Sequence, residues 1–191
     1  TIILNGATVT QASGRLDLSA ALQLQKQWSA KNKPMEDNLV QVGMYDAARA
    51  SGDTAQAAIM AANSLRQASR SNNRALKGDI EKLLGSGYGS GNIYSRVENF
   101  ISQEMKGTVS DVTLRKLDGL IRSTEDANLS GIAVNLNNAA NQARARGLPI
   151  AHVATPMQRV NKVAFPDGNV AKFQTPQAAQ EAIQQWIDAN Q

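Results

Sequence analysis

Apolar residues recur along this chain mostly at helical spacing, and the clearest case is the stretch 53–84. At 100° per residue, Leu65, Leu76, Ile80 and Leu83 fall on one narrow arc, joined by Ala58 and Ala62. Arg66, Arg70, Arg74 and Lys77 make a second arc, rotated roughly 100–180° from the first. Asp53 caps the start, and Gln56 three residues on gives a capping-box-like opening. The spacing predicts a long helix, whole or broken once in Ser69–Asn73, that buries one edge and shows a row of cations on another.

The same reading extends to both sides. Ile2-Ile3-Leu4 and Ala7-Thr8-Val9 flank Asn5-Gly6, a hairpin signal because both turn residues tolerate positive φ. Leu18, Ala21, Leu22 and Trp28 predict a helix from Asp17 to about Ala30, and Lys31–Lys33 reads as a polar break. Pro34 suits the first turn of a following helix that carries Met35, Leu39, Val42 and Tyr45 and stops at Gly52. Gly85–Asn92, GSGYGSGN, reads as a flexible linker, with Gly85, Gly87, Gly89 and Gly91 as its hinge positions.

Three further helices are predicted beyond it. Ile93–Lys106 carries Ile93, Val97, Phe100, Ile101 and Met105 and stops at Gly107. Asp111–Arg122 lies behind Ser110, and a third helix starts behind Thr124 and runs to Arg146, where Gly147 and Pro149 end it. Thr155-Pro156-Met157-Gln158 reads as a short capped turn or helix start. Val160–Phe165 and Val170–Phe173 flank Pro166-Asp167-Gly168-Asn169, a β-turn sequence, and Thr175-Pro176 caps a final helix through Ala189. The expected fold is mainly α: a helical bundle or extended helical hairpins with a short N-terminal β-hairpin and a small C-terminal ββα tail. The expected units are 1–84, a linker at 85–92, a helical unit at 93–149 and the tail at 150–191.

Composition changes this picture in one respect. Aromatic content is only 4%, and the 42% of hydrophobic residues leans on alanine. Any core is then made of thin helix–helix contacts, which suits bundles, sheaths and extended assemblies better than a deep substrate pocket. The net charge of +4 and pI near 9.5 permit a polyanionic partner without requiring one. Zero cysteines remove disulfides, thiolate metal sites and cysteine nucleophiles together. No window approaches the roughly 18 consecutive apolar residues of a membrane helix, so no transmembrane segment is expected. No charged-then-apolar signal segment opens the sequence.

Candidate chemistry is sparse. His152 is the sole histidine, so the usual zinc ligand sets do not assemble, and no G-x-S-x-G elbow is present for a nucleophilic serine. Glu36-Asp37 and Glu125-Asp126 each follow a predicted helix start, where negative charge favours the macrodipole. Glu98 or Glu104 would serve as a lysozyme-like acid only if buried beside a second group. The glycine stretch matches no phosphate-binding loop, and no strand precedes it. No catalytic residue, cofactor or metal site is therefore expected. The row Arg66, Arg70, Arg74 and Lys77 is the candidate phosphate- or DNA-facing surface, against the plainer reading of a solvated face partly neutralised by Asp79 and Glu81. Arg144, Arg146 and Arg159 form a looser second basic region.

The closing segment Val163–Trp186, VAFPDGNVAKFQTPQAAQEAIQQW, resembles the short hairpin-then-helix tails of bacteriophage virion proteins. The Ala/Gln/Asn-rich, aromatic-poor remainder is similar in style to internal ejection proteins of short-tailed phages. The segment covers about an eighth of the chain and carries no catalytic residues to transfer. The resemblance implies a non-enzymatic protein of the virion, an oligomer in ejection or tail assembly that forms a helical sheath or tube. Its partners would be sister copies, other virion or assembly proteins and, non-specifically, DNA. A nucleic-acid-binding or regulatory protein of the bacterial cytoplasm using the basic row is the alternative. A secreted effector or secretion-system component comes next, and a peptidoglycan-cleaving enzyme fourth.

Overall fold

The computed structural model describes residues 2–4, 7–9, 18–155 and 159–191. The protein is mainly α, with a small antiparallel two-stranded sheet near its C-terminal end. In chain order the elements are β1 (Ile2–Leu4), β2 (Ala7–Val9), α1 (Leu18–Ser51), α2 (Thr54–Arg70), α3 (Arg74–Leu84), α4 (Ile93–Glu104) and α5 (Asp111–Ala145). A 3-10 turn (Ile150–His152), β3 (Lys162–Ala164), β4 (Val170–Lys172) and α6 (Pro176–Ala189) follow. The chain divides into two compact units, Thr1–Glu36 with Leu129–Gln191, and Asp37–Asn128. Both long helices contribute residues to each unit.

Two predicted helix breaks are absent. α1 runs unbroken for 34 residues through Lys31–Lys33 and Pro34. Proline there removes one backbone donor, but Trp28 and Asn32 before it and Leu39 and Val42 after it are all buried on one continuing helical phase. Tertiary packing outweighs the local penalty. Likewise α5 is a single helix of 35 residues. Thr124, expected as a cap, is fully buried, and its hydroxyl donates to the Leu120 carbonyl at 2.8 Å, a bond to the preceding turn that keeps threonine inside a helix. Glu36, Asp37, Glu125 and Asp126 consequently sit far from any helix start. Their explanation by the macrodipole fails with the breaks.

The second unit, 37–128, is built around the stretch that the apolar pattern singles out. Asp53 accepts from the Gln56 amide at 3.0 Å and opens α2 as predicted. The break expected in Ser69–Asn73 is real: Ser71 takes the Asn73 amide at 3.3 Å, and Asn73 caps α3 by accepting from Leu76 at 3.0 Å. Leu65, Leu76 and Ile80 are buried with Tyr45, Val97, Phe100, Leu117, Leu120 and Ile121. Leu83, placed inward by a straight-helix count, is 37% exposed, and Leu84 takes the buried position. The buried positions of α3 step by four residues, from Leu76 to Ile80 to Leu84, which leaves Leu83 at the edge of that stripe. Four alanines of α2 (Ala57, Ala58, Ala61, Ala68) line the same core, so its helices meet on small side chains.

In the first unit, α1 up to Glu36 and α5 from Leu129 bury Ala20, Ala21, Leu24, Trp28, Ile132, Leu136, Ala140 and Ala143. Met35 Sδ lies where a Cβ on Gly131 would fall, only 2.6 Å away, so the helices approach closely there. Asn135 Nδ2 donates to Asn32 Oδ1 at 2.8 Å one turn along. Trp28 Nε1 reaches the Thr155 carbonyl at 3.0 Å and ties α1 to the segment after the 3-10 turn. β3 and β4 pair antiparallel with Val163 opposite Ala171, and the Gly168 amide donates to Phe165 O at 2.9 Å to close the predicted turn. Thr175 caps α6 with Pro176 at its first position, and Ala179, Ile183 and Ile187 are buried.

These two units differ from the expected ones. The segment 150–191 is part of the first unit, and Gly85–Asn92 lies inside the second. At the N-terminus β1 and β2 pair antiparallel, Ile2 with Val9 and Leu4 with Ala7. Their Asn5-Gly6 turn, and the turn at Pro156-Met157-Gln158, lie outside the described residues.

Candidate functional site

The basic row is divided between two helices. Arg66 and Arg70 close α2, whereas Arg74 opens α3 and Lys77 lies one turn into it. Across from α2, helix α4 carries Glu98 and Tyr94, four residues apart as Arg66 and Arg70 are. Antiparallel packing brings the two pairs into register. Arg66 donates through Nε to Glu98 Oε1 at 2.7 Å and through NH2 to Oε2 at 3.2 Å, a bidentate fork. Those bonds hold the Glu98 carboxyl below the usual carboxylate range and raise the Arg66 guanidinium. Arg70 donates to Tyr94 Oη at 2.7 Å, and its guanidinium carbon stands 4.5 Å from the centre of that ring. Arg70 and Arg74 are exposed, while Arg66 and Lys77 are half-buried.

The four cations therefore do not act alike. Arg66 is committed to an internal pair about a third exposed, which contributes at most about 1 kcal/mol after solvent screening. Arg70 is stacked but accessible. Arg74 sits at a helix N-terminus with no acidic residue in its first turn. That is a position where a cation is disfavoured by the macrodipole and an external anion is favoured. Tyr94 was missed by the sequence reading, although its spacing to Glu98 was visible.

The glycine stretch carries a second polar cluster. Gly85 caps α3 at φ 70°, a left-handed conformation that glycine adopts without steric cost. Tyr88, the one aromatic residue in the stretch, is buried and stands edge-on to Phe100 with ring centres 5.2 Å apart. Its hydroxyl donates to Glu104 Oε1 at 2.8 Å, while Thr113 Oγ1 donates to Glu104 Oε2 at 3.2 Å. Lys116 Nζ donates to Tyr88 Oη at 3.4 Å and stands 5.0 Å from the ring centre. Asn99 Nδ2 donates to the Tyr88 carbonyl at 3.1 Å. Burial, followed by the bond to Glu104, pushes the Tyr88 phenol up to about 12. Of the four hinge candidates, Gly87 and Gly89 flank this anchored tyrosine, so the loop is pinned at its centre. Only the isolated tyrosine among glycines and serines signalled it in the sequence.

Both glutamates weighed as lone acids have partners. A general acid needs a raised carboxyl pKa, and Glu98 is displaced in the opposite direction. A third cluster joins α1 to α5 within the second unit. Tyr45 donates to Asp118, which also accepts from Arg49 at 3.1 Å, and Arg122 bridges Asp46 and Glu125. Burial and Asp118 raise the Tyr45 phenol far above its ordinary value. His152, in the first unit, is 1% exposed, its Nδ1 has no hydrogen-bond partner, and burial lowers its pKa. Glu36 accepts from the Arg159 backbone amide at 3.1 Å and pairs with its Nε at 3.4 Å.

Among the described residues no group of three or more His, Asp or Glu side chains is placed to hold a metal ion. No helix among them is long and apolar enough to cross a membrane. A narrow groove in the first unit is lined by Leu24, Trp28, Lys31, Asn135, Gln142 and Val153. Neither a protein family, nor a curated protein, nor a solved structure matches this chain.

Proposed function

We propose that this chain is a non-enzymatic structural protein that works as an oligomer, of the kind built into a phage virion for tail assembly or DNA ejection. The observation that carries the reading is the pair of helices of 34 and 35 residues joined along small and amide side chains. Their outward faces keep Met44 51%, Val112 67% and Val134 57% exposed, and Ile59 on α2 is 53% exposed. Seams of alanine bury little apolar surface per residue, and exposed branched side chains on long helices are suited to contacts with sister chains. Sedimentation velocity across the micromolar range tests this. Species heavier than the 20.4 kDa chain, growing with concentration, are expected. A lone species at that mass throughout would overturn the reading.

A nucleic-acid-binding role has one specific observation in its favour: Arg70 and Arg74 are both exposed beside the half-buried Lys77. Arg70→Glu with Arg74→Glu would then weaken binding to duplex DNA and reduce the dependence of log affinity on log salt by about 2. Unchanged affinity and slope would remove this reading and leave the first intact.

A further inference from the structure

With no cysteine in the chain, its five methionines are the only sulfur atoms open to two-electron oxidation. They occupy different surroundings. Met44 is 51% exposed on α1, and Met60 and Met105 are partly buried against the core of the second unit. Met157 lies outside the described residues. Met35 alone of the described four is half-buried in a helix seam against a glycine: a Cβ on Gly131 would stand 2.6 Å from Sδ and 3.7 Å from Cε. The thioether fills the place of the side chain that α5 lacks.

We infer that Met35 is a modification site, at which oxidation to the sulfoxide by a peroxide loosens the seam between α1 and α5 in the first unit. The thioether lone pair attacks one peroxide oxygen, the O–O bond breaks and an S–O bond forms. Sulfur is oxidised by two electrons, and the peroxide is reduced to water, or to an alcohol if it was an alkyl peroxide. The product is bulkier at sulfur and strongly polar, and the Gly131 backbone leaves no room on its side. The seam has little in reserve at this point. Pro34, the preceding residue, supplies no helical donor, and the buried Asn32 one turn earlier has an unpartnered Nδ2. Half-burial matters in both directions: it leaves the sulfur within reach of a small oxidant and still makes its packing count.

The test treats the full chain with graded hydrogen peroxide, follows each methionine by peptide mass and records thermal melting on the same samples. Met44 is expected to oxidise first with no change in Tm. Conversion of Met35 is expected to lower Tm by about 3–6 °C, and a thiol-dependent methionine sulfoxide reductase to restore it. Met35→Leu should lose this component while Met44 still oxidises. An unchanged Tm with Met35 fully converted, or an equal loss in Met35→Leu, would overturn the inference. Gly131→Ala supplies an independent reading, because an added Cβ displaces the sulfur toward solvent. Faster oxidation of Met35 in that variant supports the placement, and an unchanged rate contradicts it.

Discussion

Two asparagines of α1, six residues apart, show how the two units differ. Asn38, in the second unit, uses its whole amide: Nδ2 donates to the Ser64 carbonyl and to Gln67 Oε1, both at 3.1 Å, and Oδ1 accepts from Asn128 at 2.9 Å and Ser64 Oγ at 3.3 Å. Asn32, in the first, accepts a single bond from Asn135 and leaves Nδ2 buried and unpartnered. Each unit holds other orphan polar atoms, Gln41 Oε1 and Arg96 Nε in the second and His152 Nδ1 in the first, so the wider difference lies in the aromatic residues. The second unit buries Phe100, Tyr45 and Tyr88 and gives each phenol a carboxylate acceptor. Among its described residues the first unit buries Trp28 as the one Phe, Tyr or Trp and holds His152 with an orphan nitrogen. A core built on hydrogen-bonded aromatic side chains fails when one of those side chains is cut. A buried imidazole that stays neutral gives the first unit a sensitivity that solution conditions can reach.

The largest effect should come from cutting the better core. Phe100→Ala removes a side chain with no exposure and the edge-on partner of Tyr88, and is expected to cost about 3–5 kcal/mol in urea denaturation. Native-state hydrogen exchange should place that loss in α2, α3 and α4, with α6 protected as before. Uniform loss across both units would show that they do not unfold separately.

The asparagine pair gives the next test. Asn38→Ala strips a buried carbonyl and three side chains of their partner and should cost about 1–3 kcal/mol, whereas Asn32→Ala removes an orphan donor and should cost about 1 kcal/mol or less. Equal costs in paired urea melts would dissolve the contrast between the two amides.

Opposite pH responses follow from the shifted groups. Burial lowers the folded-state pKa of His152 below its ordinary 6.5. Between those two values the unfolded chain binds the extra proton, so the first unit's stability is complete above pH 6.5 and declines as pH falls below it. His152→Leu should flatten that acid slope. Tyr88 behaves in reverse: its phenol is held protonated to about 12 against an ordinary 10.0, so its contribution is present below pH 10 and is lost as pH rises toward 12. Tyr88→Phe should reduce the alkaline loss in the second unit, with amide exchange of α4 as the readout. The smallest effect belongs to Arg66→Ala, at most about 1 kcal/mol, because the pair with Glu98 is partly solvated. A larger loss would mean that the fork positions α4 rather than decorating it.

Much of this was legible in local sequence. Caps at Asp53 and Thr175, the stop at Gly52 and the Pro-Asp-Gly-Asn turn all lie where residue chemistry puts them, since each depends on neighbours one to four positions away. Misreadings arose where a local signal met a long-range one. Pro34 and Thr124 look like helix boundaries in isolation, but buried residues on either side hold the helix in phase. GSGYGSGN looks like a tether by composition, yet Tyr88 anchors it through Phe100, Glu104 and Lys116, none of which is its neighbour in sequence.

For the candidate site, the cationic row was readable as a list of residues and not as a surface. Whether an arginine is free or committed depends on what the facing helix presents. Arg66 and Arg70 meet Glu98 and Tyr94 only because α4 packs antiparallel in that register. The sequence alone determined the mainly helical class, the helix ends governed by caps and the alanine-lined seams, because hydrogen-bond geometry and side-chain periodicity are local properties. Only the tertiary structure decided which helices run unbroken, how the chain divides into units and which polar atoms are left without partners, because those outcomes depend on burial by residues distant along the chain.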